Sequence, residues 1–273
     1  MAIIAKITAQ QKRRGRYNIF LQEGSIECYA FSVTEDVLIK YDLKKGRELD
    51  EDHMRAVLSA EAYKQAERLA LRYLSYRMRS EKELCTYLQQ KACEATHIEE
   101  VVTRFKQEKW LDDVAFAKAF VQTKINTTLI GPNKLRHALM EKGVAESAQE
   151  VALAIYDRTQ QKQCVSAWLE KRLVQTTNVR ESKQMRKQKW TNRLLAKGFT
   201  FELVQTVLEE VTSEDEANDW ASLCYQAEKV TRTYARRFDG FTLQQKVKQA
   251  LYRKGFSFSE IDRYIDEEWQ ERG

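Results

Sequence analysis

A mainly α chain is predicted, in which tandem three-helix repeats form a curved, elongated solenoid behind a small β-rich N-terminal cap. Three observations predict it. The 273 residues include one proline and nine glycines, so helix breakers are scarce. A helix end that runs into lysine, and usually glycine, recurs as YLQQKAC, ALMEKGV, LLAKGF and ALYRKGF. Its lysines, Lys91, Lys142, Lys197 and Lys254, lie 51, 55 and 57 residues apart, the near-constant period of a helical repeat.

Residues 1–58 carry the strand signals. Ile3, Ile4 and Ile7 open the chain, and the runs 17–21 and 26–31 alternate in part, with Glu23-Gly24-Ser25 between them as a hairpin signal. Lys12, Arg13, Arg14 and Arg16 around Gly15 form a basic tip, either a solvated loop or a phosphate contact. Ser32 and Glu35 have capping-box spacing before a short helix through Val37, Leu38 and Tyr41. Residues 46–49 read as a short strand. Asp50 opens a long helix, the kind of cover so small a sheet needs.

The repeats divide as 59–109, 110–156, 157–211 and 212–273. In the first, Ser80 and Glu83 form a capping box and Leu84 and Leu88 face one side of the helix that follows. Gly143, Gly198 and Gly255 suit the left-handed position after a helix. Ala92 stands there in the first copy, which predicts a different turn. Third helices follow with apolar spacing: Ile98, Val101, Val102 and Phe105; Val151, Ala154 and Ile155; Val204, Val207 and Leu208; Ile261, Tyr264 and Ile265. In the second copy Asp112 or Asp113 caps a helix that buries Phe116 and Phe120, and Gly131-Pro132 opens the next. Trp168, Trp190 and Trp220 mark helices of the last two copies, where core packing outweighs base stacking as their expected role.

Charge is lopsided. The chain nets +6, yet residues 158–197 hold eleven basic residues against Glu170 and Glu181, a net +9, so the remainder nets −3. Clustered cations bind phosphate backbones by counterion release, or match an acidic protein face. A second basic corner holds Arg72, Arg77, Arg79 and Lys82. Catalytic chemistry is not suggested: His53, His97 and His137 stand apart, no glycine-rich phosphate loop appears, and Asp112-Asp113 reads as a cap. No metal or cofactor is expected. Five dispersed cysteines without a CxxC pair, and no signal peptide or long apolar run, predict a reduced cytoplasmic protein without a membrane span.

Three stretches, LALRYLSYRMRSEKELCTYLQQK, WLDDVAFAKAFVQTK and GPNKLRHALMEKGV, closely resemble the bacterial regulatory family RecX, and RYNIFLQEG with EDVLIKYDLKKG resembles its Gram-positive form. Met78 and Ala92 depart from the family's usual proline and glycine at the first corner. The resemblance implies a non-enzymatic, monomeric modulator of the RecA recombinase. It would bind the RecA filament, within its groove, and single-stranded or duplex DNA, altering ATPase and strand exchange in DNA repair, recombination and the SOS response. The residues expected to contact RecA or DNA are Arg72, Arg77, Arg79 and Lys82, with Lys171, Arg172, Lys183, Arg186, Lys187, Lys189 and Arg193. A stand-alone DNA-binding regulator and a helical scaffold are the alternatives.

Overall fold

The structure, a computed structural model, describes residues 2–11, 14–23, 26–175, 180–211 and 216–269. Lys12, Arg13, Gly24 and Ser25 of the expected loop and hairpin tips lie outside the described residues. Strands β1 (Ala2–Ala9), β2 (Arg16–Glu23), β3 (Ile26–Thr34) and β4 (Glu48–Leu49) form an antiparallel sheet in the order β3-β2-β1-β4. Bulges interrupt its register between Ile4 and Lys6 and between Ile19 and Phe20. Bulges re-aim side chains, and here Ile4, Ile19, Leu21 and Val33 pack with Val37 of α1 (Glu35–Lys40) and Val57 of α2 (Glu51–Leu74). The long helix supplies the cover, and Asp50 caps it by accepting from the His53 amide at 2.7 Å.

Two expectations in this region are corrected. No capping box opens α1: its cap residue is Thr34, with no side-chain cap bond. Ser32 is drawn into β3 opposite Asn18, because strand pairing runs on through Thr34. Arg16 does not belong to a solvent-facing basic tip either. It starts β2, and its guanidinium lies 3.0 Å from Glu61 with both side chains about nine-tenths buried. Glu61 also accepts from the Thr34 amide at 2.6 Å and its hydroxyl at 3.1 Å.

The helices follow in triplets. α3 (Glu81–Gln90) and α4 (Ala95–Gln107) complete the set begun by α2. Next come α5 (Asp113–Thr127), α6 (Pro132–Glu141) and α7 (Glu146–Leu153). The third set is α8 (Arg158–Gln175), α9 (Lys183–Ala196) and α10 (Phe201–Val211), and the fourth α11 (Glu216–Tyr234), α12 (Gly240–Arg253) and α13 (Phe258–Tyr264). A π-helical turn, Ile265–Trp269, extends α13. Two compact units result, Met1–Phe116 with Lys142–Ala145, and Ala117–Glu141 with Glu146–Gly273.

In the first unit Leu84, Leu88, Ile98, Val101, Val102, Phe105 and Leu111 form one core with Ala66 and Ala70. Each large apolar side chain so buried contributes about 1.5–3 kcal/mol. In the second, Leu223, Val247, Leu251, Phe256, Ile261, Tyr264 and Ile265 do the same for the fourth triplet, and α10 of the third buries Leu203, Val204, Val207 and Leu208. The second triplet departs from expectation. α7 buries Ala148, Gln149 and Ala152 and ends at Leu153, leaving Val151 exposed and Ile155 beyond the helix. Phe116 is buried as expected, whereas Phe120 is partly exposed. Asp112 caps α5, accepting from the amides of Val114 and Ala115, both at 2.9 Å.

One joint recurs three times. The start of each second helix meets the lysine turn that ends the second helix of the following triplet. The Ser80 hydroxyl donates to the Lys142 carbonyl at 2.7 Å, and that of Ser182 to the Lys254 carbonyl at 2.6 Å. Between them in sequence, the Gly131 amide donates to the Lys197 carbonyl at 2.8 Å and the Asn133 amide to that of Gly198 at 3.1 Å. A Cβ on Gly131 would lie 2.2 Å from the Gly198 carbonyl carbon, so the backbones touch there.

Ala92 clarifies the role of these turns. It keeps the left-handed conformation, φ 57°, that Gly143, Gly198 and Gly255 adopt, so the turn of the first copy is not different. Ala92 is exposed, whereas a Cβ at Gly143 would strike Lys82 at 2.7 Å and one at Gly255 would strike Ser182 at 2.8 Å. Glycine is needed where a helix start docks, and alanine survives where its methyl stays in solvent. Ala92→Gly is therefore expected to stabilise the first triplet by about 0.5–1 kcal/mol, relief of left-handed strain exceeding the added unfolded-state entropy. The midpoint of urea unfolding, at unchanged slope, measures it.

Candidate functional site

The basic corner of the first unit is half structural. Ser80, fully buried, accepts from the Glu83 amide at 3.2 Å, while Glu83 accepts in return from the Ser80 amide at 3.4 Å. Glu83 also holds Arg77 at 3.2 Å and Lys142 at 2.6 Å. Burial works to raise its pKa, but the bonds from Lys142 and Arg77 prevail and hold it below the usual glutamate range. Arg79 lies over the Tyr73 ring at 4.3 Å, and that ring stacks on Tyr87 at 4.1 Å. Arg72 is exposed and hydrogen-bonded to Tyr76. Lys82 is exposed over the turn at Gly143. The amide of Glu81 is taken by Asp113 at 2.9 Å, so the acid pair caps two helices: Asp112 its own and Asp113 that of α3.

The same device recurs in the second unit. Asp219 accepts from the Lys183 amide at 2.7 Å, and Ser182 caps α9 through the Met185 amide at 3.3 Å. Burial raises the pKa of Asp113 and Asp219 alike. Arg186 lies 5% exposed beside Asp219, whose carboxyl its charge pulls back down. Its head group thus faces inward, unlike its expected role as a surface contact, because the turn of α9 that carries it is the turn that docks. Lys183 and Lys187 are half-buried.

The outward cations are Lys171, Lys189 and Arg193, with Arg172 partly covered. Arg172 and Arg193 flank one indole, that of Trp168, at 5.5 and 5.7 Å. The indole thus helps to position both guanidinium groups. Nothing in the linear spacing announces this grouping, since Trp168 and Arg193 lie on different helices. Acids offset three members of the basic segment: Arg158 is paired with Glu202 at 2.6 Å, Lys162 with Glu210 at 2.7 Å, and the outward Lys189 with Glu181. Trp168, Trp190 and Trp220 are only half-buried, less than their expected core role implies, and Trp110 is 55% exposed against Phe105. Among the described residues no group of three or more His, Cys, Asp or Glu is placed to hold a metal ion, and no helix is long and apolar enough to cross a membrane.

Tandem helical modules, joined by a repeated polar device and carrying arginine–aromatic clusters, define a repeat-built helical protein. The chain belongs to the RecX family of regulatory proteins. Family models match at residues 2–50 (regulatory protein RecX N-terminal domain) and at 66–105, 112–153 and 217–265 (first, second and third three-helix domains of RecX). The fourth triplet thus answers to the model of the third domain, and the matched segments pass over the basic triplet α8–α10. Regulatory protein RecX of Halalkalibacterium halodurans is 45% identical over 98% of this chain and 100% of its own length. That of Oceanobacillus iheyensis is 41% identical over 99% and 100%. A crystal structure of regulatory protein RecX, 34% identical, aligns with a TM-score of 0.63 over 76% of this chain and 98% of its own. RecX from Lactobacillus salivarius, 26% identical, aligns with a TM-score of 0.53 over 56% and 97%.

Proposed function

We propose that the protein regulates RecA without being an enzyme, by binding the RecA–single-stranded-DNA filament and altering its ATPase and strand-exchange activity. The observation that carries this reading is the match to regulatory RecX proteins from end to end of the chain. Filament binding in the groove suits tandem modules, because each weak contact raises the effective concentration of the next. The surface charges assigned to RecA or DNA are Arg72, Arg77, Lys82, Lys171, Arg172, Lys187, Lys189 and Arg193. Arg186 is buried beside Asp219, Arg79 lies over the Tyr73 ring, and Lys183 gives its backbone amide to Asp219, so these three are assigned first to holding the site in place. A bound molecule obstructs filament growth or favours one filament state through differential affinity. The protein acts as a monomer in the cytoplasm, where RecA works.

The test is RecA ATPase on single-stranded DNA, titrated with this protein at two salt concentrations. A change in rate at equimolar or lower protein is expected, weakening as salt rises. Reversing Lys171, Lys187 and Lys189 to glutamate should shift the titration to at least about tenfold more protein, the size expected from losing several charged contacts. Helix content by circular dichroism should not change. An inert parent protein removes the reading, and an unaltered titration by the triple variant removes this patch from it.

A further inference from the structure

The third joint holds something the other two lack. A cavity of about 240 Å³ opens beside the start of α9, lined by Arg180, Lys189, Arg253 and Lys254 with Ser182 and Phe256 among its walls. Four of its described lining residues are cationic, and Glu181 is the one acid among them. Glu181 is already engaged by Lys189. The Arg180 guanidinium lies over the Tyr225 ring at 5.1 Å, fixed by an aromatic face rather than a counter-charge.

Comparison of the joints shows that this charge is not required for docking. Counted from Ser80 and Lys142, the positions of Arg180, Lys189 and Arg253 are held by Met78, Tyr87 and Glu141. Counted from Gly131 and Lys197, they are held by Leu129, Ala138 and Ala196. A helix start therefore docks on a lysine turn twice without these three cations, once through a serine hydroxyl and once through backbone amides, so docking does not account for them. A phosphate group fits a cationic hollow with arginines whose planar forks grip its oxygens.

One further feature selects the source of the phosphate. Tyr252 and Phe258, each within five residues of Arg253, stack on one another with ring centroids 4.4 Å apart and planes 18° apart, yet are 53% and 58% exposed. An exposed aromatic stack beside a cationic groove is what a single strand needs, one element for the backbone and one for a base.

We propose that the joint between the third and fourth triplets is a single-stranded nucleic-acid site, with a backbone phosphate between Arg180, Lys189, Arg253 and Lys254 and a base on the Tyr252–Phe258 stack. This deepens the DNA-binding part of the proposed function and rests on it, while requiring nothing of RecA.

The experiment uses the full chain without RecA and a fluorescein-labelled oligo-dT read by anisotropy across a salt series. Arg180→Ala with Arg253→Ala should weaken binding about tenfold at low salt. The log–log salt slope should fall by about 0.7 for each phosphate released. Phe258→Ala should weaken binding about tenfold with the slope unchanged, since stacking releases no counterions. Lys44→Ala with Lys45→Ala, exposed cations of the first unit, serves as the charge-matched control. A slope in the arginine double variant equal to the control's overturns the site. So does a melting-temperature rise with inorganic phosphate, lost in that variant, while oligo-dT binding is untouched, because the hollow then takes free phosphate. If the parent alters RecA ATPase and the arginine variant binds oligo-dT like the control, this inference fails alone. If the parent leaves RecA unchanged but the slope falls, the regulatory reading fails alone.

Discussion

Replacing Gly131 with alanine is expected to cost about 3–5 kcal/mol, an effect above the usual range for a surface turn. The added methyl would lie 2.2 and 2.3 Å from the carbonyl carbon and oxygen of Gly198 and 2.3 Å from the Phe199 amide nitrogen. These are backbone atoms of a docked turn and have no rotamer to escape into. The joint must open, and with it go the bonds from Gly131 to Lys197 and from Asn133 to Gly198. Each contributes about 1 kcal/mol, more if a carbonyl is left buried without a donor. Amide exchange reads the result, because repeat arrays open locally before they unfold globally. Protection should drop at Asn133 and Phe199 while the core of the first triplet keeps its own. Gly46→Ala is the control: its φ is +86° but nothing lies within 4 Å of the added methyl, so it bears only about 1–2 kcal/mol of left-handed strain. Equal losses in the two variants would show that backbone strain alone, not the close approach of two turns, is what Gly131 relieves.

Arg16→Ala is expected to destabilise the N-terminal sheet by about 3–5 kcal/mol, the range for breaking a buried ion pair from one side. The loss comes from what remains. Glu61 keeps its two bonds from Thr34 but has no cation, with its side chain only 9% exposed. Arg16→Ala combined with Glu61→Ala should recover a large part of the loss, since no buried charge is then left alone, and the four-member mutant cycle isolates the pairing energy. Arg14→Ala, two residues away and exposed, should shift stability by less than about 0.5 kcal/mol. A double variant no better than the single one would place the effect in lost packing of the arginine stem rather than in the charge.

Much of the fold was legible because it is local. Helix starts at Asp50 and Ser80, the lysine turns, and the faces of α4, α10 and α13 follow from capping and periodicity, which act within one or two turns. Two local readings failed where a neighbour intervened. Ser32 was taken by the sheet before it could cap, and α7, with short apolar side chains, turned its alanines inward and left Val151 outside. The site was legible as a quantity of charge but not as an arrangement. Arg16 and Arg186 belong to basic runs in the sequence, yet both side chains are buried beside acids 45 and 33 positions further along the chain. Arg253 and Lys254 lie outside the basic segment, and folding brings them to Arg180 and Lys189.

The sequence by itself determined a chain of helical triplets behind a strand-rich cap, its RecX kinship and its excess of positive charge in the third triplet. Each of these is encoded in nearest neighbours, in spacing or in simple counts. Tertiary structure alone decided which cations reach solvent and which are held by an acid or an aromatic ring, and where two turns approach so closely that only glycine fits. The reason is physical. Periodicity and capping are set over a few residues, whereas the state of a charge depends on the dielectric and on the partner that folding places beside it.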